Sequence, residues 1–184
     1  MLHMRDTGFL LGNRMLFESE NVELADGECA ARCCGSEQAA SALALTAAGI
    51  VKATHGDVYI GEFDPRIQPA QAKRLVGFVP YETVPRDFTA LDDYVAYRAA
   101  LWSLDRKASI VRARMLMAQL QGVHESIAIP LAGALLSAPR LIVLDRPQLV
   151  YAERIMAVTA PAAVFSTHTS AHNAHAFAAR GTLV

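Results

Sequence analysis

Three positions in the 184-residue chain carry residue types that could bind an anion or transfer a proton. Gly35 stands between a β-rich run and an Ala-rich helical run, and a strand, a glycine and a helix in that order are what a phosphate-binding loop requires. Asp145 ends the apolar run LIVLD, and His168 follows the apolar run AVFS. Polar residues at such strand ends can act in catalysis, but they also tie loops. We interpret Asp145 and His168 mainly as structural residues.

The spacing of cysteines and histidines predicts neither a disulfide framework nor a metal site. Cys29, Cys33 and Cys34 are an odd number of thiols in one short segment, without a paired C-x-x-C or a nearby histidine. We therefore expect ordinary buried thiols in a reducing compartment. His172 and His175 are spaced i, i+3, which favours a solvated helix face over metal binding.

Composition indicates a folded protein whose main partner is not nucleic acid. Hydrophobic residues make up 53% and charged residues 19% of the chain, and the net charge is −1 without a concentrated basic face. No apolar run approaches the roughly 20 residues that span a bilayer, and the N-terminus lacks a secretory segment. We expect a soluble cytoplasmic protein, not inserted in the membrane, whose high apolar content is compatible with a surface buried against a protein partner.

The first third of the chain is predicted to consist mainly of strands. Asp26-Gly27 is a turn signal typical of a hairpin, and His55-Gly56-Asp57 is a second turn. The predicted elements are strands at 8–17, 21–24, 28–34, 58–60 and 74–79 and a helix at about 37–48.

The middle of the chain has helical spacing instead. Thr89 is placed as an N-cap, Asp92 as a capping-box acid, and Pro130 in the first turn of a later helix. Strands at both ends with helices between them indicate an α/β core with a helical insert. The predicted helices cover 89–104, 107–120 and 127–136, and the buried parallel strands that follow cover 140–145 and 162–166.

Seven short segments occur in an order that is informative as a whole. They are Asp26-Gly27-Glu28, His55-Gly56-Asp57-Val58, Val76-Gly77-Phe78-Val79-Pro80, Phe88-Thr89-Ala90-Leu91, residues 131–140, Leu141-Ile142-Val143-Leu144-Asp145 and Phe165-Ser166-Thr167-His168. Together they resemble the nucleotide-binding domain of ABC transporters, from about residue 8 to residue 184. The roles that follow are given in the same order as the segments. In that family the first segment would precede the phosphate loop, the second would follow the helix of that loop, and the third would lead into the Q-loop. The fourth would start the helical subdomain, the fifth would lead to Walker B, the sixth would be Walker B and the seventh would be the H-loop.

The resemblance implies an α/β fold with a P-loop NTPase-like core of the ABC ATPase type. That core would have a mostly parallel sheet, an N-terminal antiparallel β portion and a small helical subdomain over about 85–137. It also implies a single domain over residues 1–184.

The segment that resembles the phosphate loop has lost most of the residues that bind nucleotide. A working loop reads G-x-x-x-x-G-K-[ST], in which the lysine neutralises phosphates and the hydroxyl binds Mg²⁺. Each charge-assisted contact is worth about 1.5–3 kcal/mol, so losing two weakens binding by on the order of 10²–10⁴-fold. Ala40 stands at the position of the second glycine, Ser41 at that of the lysine and Ala42 at that of the hydroxyl residue. The whole aligned stretch is Gly35, Ser36, Glu37, Gln38, Ala39, Ala40, Ser41 and Ala42.

The position that resembles the family's catalytic glutamate is Arg146, next to the retained Asp145. A guanidinium cannot accept a proton from water. Arg146 could instead pair with Asp145 or with Glu37 and fill the vacant site with an internal ion pair.

Other elements of the family's site depart in the same direction. The Q-loop glutamine position is Tyr81, the signature position at 121–125 keeps one glycine, and the D-loop aspartate position falls near Ala152. Of the family's catalytic elements, His168 remains.

These losses predict a pseudo-ATPase in which Asp145, Arg146 and His168 are vestigial, with no metal and with ATP–Mg²⁺ bound weakly at most. It would associate with an active ABC ATPase subunit, a membrane permease or a second copy, and a permease would place it at the membrane periphery. Because the groove beside the Q-loop receives the coupling helix in ABC transporters, the candidate partner-binding residues are Tyr81, Phe88, Tyr94 and Tyr97.

Two alternatives stay open on the sequence. One is an ATP-binding ABC-type subunit with atypical site residues. The other is an unrelated soluble α/β binding protein, which a non-parallel central sheet would indicate.

Overall fold

A computed structural model describes residues 1–81 and 91–181 of the chain. The strands are β1 (Leu2–Leu11), β2 (Arg14–Leu24), β3 (Cys29–Cys33), β4 (His55–Ile60), β5 (Val76–Val79), β6 (Leu141–Asp145) and β7 (Ala163–His168). The helices are α1 (Glu37–Ala47), α2 (Pro69–Arg74), α3 (Leu91–Leu101), α4 (Arg106–Gln119), α5 (Glu125–Leu135), α6 (Ala152–Thr159) and α7 (Ala171–Gly181).

The central sheet is parallel, with strand order β3-β7-β6-β5. Every residue of β6 is buried, as expected of a parallel strand covered on both faces. Because side chains alternate along a strand, Leu141 and Val143 pack into one core while Ile142 and Leu144 pack into the other. The first core contains α1 and the second contains α5, α6 and α7 side chains.

A three-stranded antiparallel sheet, ordered β2-β1-β4, covers the other side of α1. The predicted hairpin turn at Asp26-Gly27 is wrong, because the tight turn lies at Gly12-Asn13, inside the strand predicted over 8–17. Asp26-Gly27 instead connects the antiparallel sheet to the parallel sheet. Gly12 has a φ of +61°, so this turn uses a left-handed residue as hairpin turns do.

Residues 2–6 belong to β1, although no strand was predicted there. Leu2 and Met4 are buried while His3 and Arg5 are exposed, which is the alternation of a strand with one buried face. Four alternating residues are too few to identify a strand by sequence alone. The pairing of Leu2 with both Leu24 and Ile60 explains why the strand forms.

Three helices, α3 to α5, lie between β5 and β6 in the chain. Pro130 sits in the interior of α5 and not in its first turn, because His124 caps the helix and starts it earlier than predicted. Gly133 of α5 lies against the ring of Tyr94 of α3, where a Cβ would come within 2.6 Å of Cε1. Thr89, the predicted N-cap, lies outside the described residues, and the subdomain boundaries 85–137 stay a prediction.

Two short helices, α2 and α6, were not predicted from the sequence. In the part of the chain that the structure describes, no helix is both long enough and apolar enough to cross a membrane.

Gly56 offers a direct test of the contact between β4 and β1. It has a φ of +76°, and a Cβ there would lie 2.2 Å from the carbonyl oxygen of Asp6 and 2.6 Å from that of Arg5. Because backbone atoms of a paired strand cannot move aside, Gly56→Ala should lower the free energy of unfolding by about 3 kcal/mol. Gly12→Ala, with φ of +61° and nothing within 4 Å, should cost only about 1 kcal/mol. If urea titrations show that the two variants lose equal free energy of unfolding, the register of β4 against β1 is contradicted.

Candidate functional site

The candidate site lies where the carboxyl ends of β6 and β7 meet the start of α1. Asp145 follows Leu141 and Val143 in the alternation of β6 and therefore points to the face that α1 covers. Its carboxylate accepts a hydrogen bond from the hydroxyl of Ser41, with 2.6 Å between Oγ and Oδ2. The residue at the position of the family's lysine is thus joined to the residue at the position of its Walker B aspartate.

Arg146 turns back over this pair. Its φ is +49°, in the left-handed region that non-glycine residues rarely adopt, and its backbone N–H donates to the carbonyl of Thr167 at 3.0 Å. The side chain then reaches the same site that Asp145 occupies. A left-handed arginine costs roughly 1–2 kcal/mol, which the contacts of its side chain must offset.

The guanidinium of Arg146 makes three polar contacts within the site. Its Nε lies 3.1 Å from Oδ1 of Asp145, its Nη1 lies 2.8 Å from Oε2 of Glu37, and its Nη2 donates to Oγ of Ser41 at 3.1 Å. Glu37 and Ser41 are spaced i, i+4, so both lie on the same face of α1. The predicted internal ion pair is confirmed, and it includes both candidate carboxylates.

Tyr81, at the Q-loop position, closes the site from the side of β5. Its ring centroid lies 3.9 Å from Cζ of Arg146, within the range of a cation–π contact. The cavity left between this ring and residues 144–148 has a volume of about 10 Å³. That volume holds about one water molecule and no phosphate group.

The electrostatics of the site favour a permanently charged arginine. The side chains of Asp145 and Arg146 are 6% and 14% exposed, whereas that of Glu37 is 76% exposed. Burial lowers the pKa of Arg146, but the hydrogen bonds and charges of Asp145 and Glu37 raise it by more, so its pKa lies above the usual value. The two carboxylates and one guanidinium sum to a charge of −1, which disfavours a polyphosphate.

The remainder of the loop is an ordinary helix start. The hydroxyl of Ser36 caps α1 by accepting from the N–H of Ala39 at 3.1 Å, and the amide oxygen of Gln38 accepts from Arg14 at 3.2 Å. Ala40 and Ala42 are buried. Gly35 is not left-handed, and a Cβ there would meet no atom within 4 Å. The conformation of this loop therefore does not require its one retained glycine.

His168 is a packed residue. It is 2% exposed, its Nε2 lies 3.0 Å from Oγ of Ser166, and its ring centroid lies 5.3 Å from that of Phe177 in α7. Burial lowers the pKa of His168 to about 4, so the ring is neutral at pH 7. This packing against α7 agrees with the interpretation of His168 as a mainly structural residue.

The candidate partner residues are spread over different environments. Tyr94 lines a groove and packs on Gly133, Tyr97 is half exposed on α3, and Tyr81 faces Arg146. Phe88 lies outside the described residues.

The residues at the signature and D-loop positions make structural contacts. At the signature position, His124 caps α5, with its Nδ1 accepting from the N–H of Ser126 at 3.3 Å. Ala152, at the D-loop position, is fully buried in α6. The cap was not predicted from the sequence, because histidine is not among the usual capping residues.

Two of the three thiols differ from the prediction of buried cysteines, because Cys34 is buried but Cys29 is half-buried and Cys33 is exposed. Cys33 is exposed, because it is the last residue of β3, which is an edge strand of the parallel sheet. Burial raises the pKa of Cys29 to about 11 and contributes most to a pKa of about 12 for Cys34. His172 and His175 are exposed, and no cluster of three or more possible metal ligands exists among the described residues.

This arrangement of sheet and helices is found in solved ATP-binding cassettes. A bacterial ABC transporter cassette solved as a dimer superposes with a TM-score of 0.75 at 16% identity, covering 96% of this chain and 91% of that one. The ATP-binding subunit of an ABC transporter gives 0.72 at 16% identity, covering 91% and 79%. CbiO1 from Clostridium perfringens, part of the transporter complex cbiONQ, gives 0.67 at 17% identity, covering 91% and 78%.

The chain has the fold of an ABC transporter ATP-binding cassette. No protein-family model and no curated protein matches its sequence. The central sheet is parallel, so the structure does not have the non-parallel sheet that would have indicated an unrelated α/β protein. Glu37, Ser41, Asp145 and Arg146 form one cluster of ion pairs and hydrogen bonds between the end of β6 and the start of α1, hereafter the Arg146 cluster.

The Arg146 cluster should contribute measurably to stability. Arg146→Gln leaves Asp145 buried without a cation, so the free energy of unfolding should fall by about 3 kcal/mol. Glu37→Gln removes only the exposed partner and should cost at most about 1 kcal/mol. Adding Asp145→Asn to Arg146→Gln should restore part of the loss, because the unpaired charge is gone. If the loss of unfolding free energy in urea for the double variant equals the sum of the losses for the two single variants, Asp145 and Arg146 are not coupled.

His168 predicts a specific loss of stability in acid. Its folded pKa of about 4 lies below the ordinary value of 6.5, so the unfolded chain takes up the proton first as the pH falls. The stabilisation is complete above about pH 6.5 and falls by about 3 kcal/mol on reaching pH 4. Unfolding of the wild type and of His168→Gln, compared across that range, isolates this contribution. A constant difference between the two proteins would mean that His168 titrates normally.

Proposed function

We propose that this protein is a non-hydrolysing cassette subunit that acts by associating with another protein. The observation that carries the proposal is the Arg146 cluster, in which the chain's own side chains occupy the position where an active cassette holds phosphates and Mg²⁺.

Binding of ATP would require this cluster to open. The guanidinium would have to leave the buried carboxylate of Asp145, and breaking a buried ion pair in this way costs about 3–5 kcal/mol. An active loop supplies a lysine and a hydroxyl in return, whereas this chain has Ser41, already bonded to Asp145, and the buried Ala42. The exposed carboxylate of Glu37 adds repulsion at the mouth of the site.

Hydrolysis would in addition require a base. A positioned general base typically contributes about 10²–10⁴-fold in rate. Arg146 stays protonated, and the ring of His168 is held against Ser166 and Phe177. The acids of the cluster are Asp145 and Glu37. Both oxygens of Asp145 are already engaged, and Glu37 is paired with Arg146 through Oε2.

Association with a protein is supported by a groove beside β5. The groove has a volume of about 390 Å³, and Tyr94, one of the candidate partner residues, lines it. One similar structure is a dimer and another belongs to a transporter complex. By analogy, we propose an ABC ATPase subunit, a permease or a second copy as the partner. A permease would make the chain cytoplasmic and peripheral to the membrane, with Tyr81, Phe88 and Tyr97 as further contacts.

Calorimetric titration with ATP–Mg²⁺, with hydrolysis followed on the same sample, tests the proposal. The wild type should show no binding up to millimolar ATP and no turnover. The triple variant Ser41→Lys, Ala42→Ser, Arg146→Glu restores the lysine, the Mg²⁺ ligand and the glutamate and should bind at least about 10²-fold more tightly. Circular dichroism of each variant confirms that it is folded.

Micromolar binding of ATP by the wild type, or equal affinity of the wild type and the triple variant, would overturn the proposal. Either result would favour an ATP-binding subunit with atypical site residues. Arg146→Gln serves as the matched control, because it opens the cluster without restoring the lysine or the Mg²⁺ ligand.

A further inference from the structure

A cavity of about 280 Å³ lies at the opposite end of α1 from the Arg146 cluster. Thr46 and Gly49 line it from the end of α1, Val58 lines it from β4, and Lys73 lines it from α2. Sites for small ligands typically measure roughly 300–1,000 Å³, so this volume suits a small molecule and not a protein segment.

Two glycines fix the shape of this cavity. Gly49 and Gly56 both line it and are both left-handed, with φ of +66° and +76°. A Cβ on Gly49 would come within 2.9 Å of the ring of Pro65, and one on Gly56 would lie 2.2 Å from the carbonyl oxygen of Asp6. The chain therefore passes close to itself at two places around the cavity, so the backbone holds its walls in position.

The cavity carries an excess of positive charge. Its cationic residues are Lys52, Arg66 and Lys73, and its one acid is Asp64. Arg66 is neutralised, since its Nη2 lies 2.6 Å from Oδ2 of Asp64 and 2.7 Å from Oδ1 of Asp57. The hydrogen bonds of Arg66 keep the pKa of Asp64 below its usual value, and the charge of Lys52 contributes least to this shift.

The two lysines are the charges that remain. Neither Lys52 nor Lys73 forms an ion pair with any residue that the structure describes. The chain has three lysines and a net charge of −1, so two of its three lysines line one small cavity. A pair of ammonium groups on flexible stems can converge on one anionic group, because each donates hydrogen bonds in several directions.

The end of α1 does not cancel this positive charge. The last carbonyls of a helix carry partial negative charge, but here several are already bonded. The carbonyl of Thr46 accepts from the N–H of Gly49 at 3.0 Å, and that of Leu45 accepts from Ile50 and Val51 at 2.9 and 3.2 Å. The polarity of the cavity is therefore set mainly by the side chains of its lysines.

The rest of the lining is apolar. Ile50, Val51, Ala53, Val58 and Pro65 supply it, and Val58 is buried. A bare inorganic ion would leave these side chains in water, whereas an apolar body placed on them would remove surface from water on both sides.

We infer that this cavity binds a small organic anion, whose apolar body packs on Val51, Val58 and Pro65 and whose dianionic group, of the phosphate monoester type, contacts Lys52 and Lys73. The inference goes beyond the proposed function, because the ligand is neither a nucleotide in the phosphate loop nor a protein partner. It adds a ligand site at the other end of α1.

Three small probes test the inference by calorimetric titration of the full chain at pH 8. Phenyl phosphate carries both a ring and a dianion, because the second pKa of a phosphate monoester is about 6. Benzyl alcohol keeps the ring without the charge, and inorganic phosphate keeps the charge without the ring. Phenyl phosphate should bind at least about tenfold more tightly than either of the other two. Its affinity should fall as salt is added.

The three lysines supply matched variants. Lys52→Gln and Lys73→Gln change exposed residues, and each should weaken binding of phenyl phosphate by up to about fivefold. The double variant should weaken it by about tenfold or more and leave the affinity for benzyl alcohol unchanged. Lys107→Gln, at an exposed position on α4 outside the cavity, should leave the affinity for phenyl phosphate unchanged.

Three results would overturn the inference. They are absence of phenyl phosphate binding up to millimolar concentration, equal affinity of the wild type and the double lysine variant, and equal affinity of phenyl phosphate and inorganic phosphate. The double variant also separates this test from the ATP titration, because an ATP signal that it retains does not arise from the cavity. Failure here leaves the proposed function standing, and failure of the proposed function leaves this site standing.

Discussion

The guanidinium of Arg146 contacts three parts of the fold at once. It binds the end of β6 through Asp145, the first turns of α1 through Glu37 and Ser41, and the second residue after β5 through the ring of Tyr81. A charge that is 14% exposed must keep its partners, because an unpaired buried ion costs several kcal/mol. The position of α1 on the sheet and the position of Tyr81 are therefore linked through one side chain.

The Arg146 cluster also explains how the buried charge of Asp145 is balanced without a lysine at position 41. The alternation of β6 buries Asp145 against α1 whatever follows it, so this carboxylate needs a cation or a donor. Ser41 supplies a donor but no charge. Arg146 supplies the charge from the opposite side, at the cost of a left-handed backbone. Ser41 and Arg146 therefore complement each other as a donor and a cation around the same carboxylate.

Sequence reasoning was accurate where a pattern is local and failed where distant segments decide the structure. The runs around Leu141–Asp145 and Glu37–Ala47 were predicted to within about a residue, because an unbroken apolar run and an Ala-rich run each permit one element. The ion pair of Arg146 was predictable because the resemblance placed both carboxylates at the same edge of the sheet. The turn at Gly12-Asn13 was missed because Asp26-Gly27 carries an equally strong local signal.

The aromatic residues illustrate the same limit of prediction from sequence. Tyr81 and Tyr94 were grouped as partner contacts, yet one packs on Arg146 and the other partly on Gly133. The local sequence cannot distinguish an aromatic ring that is free to contact a partner protein from one that already packs on a charged side chain or a glycine. The packing of each ring depends on a residue more than 30 positions away in the chain.

The site and the groove share a wall. Pro80 lines both the groove and the small cavity beside Arg146, and the next residue, Tyr81, lies against the guanidinium. Here the contact is made by the chain's own arginine, whose partners are covalently part of the same molecule. The segment that forms this side of the groove is therefore held in place by contacts within the chain itself.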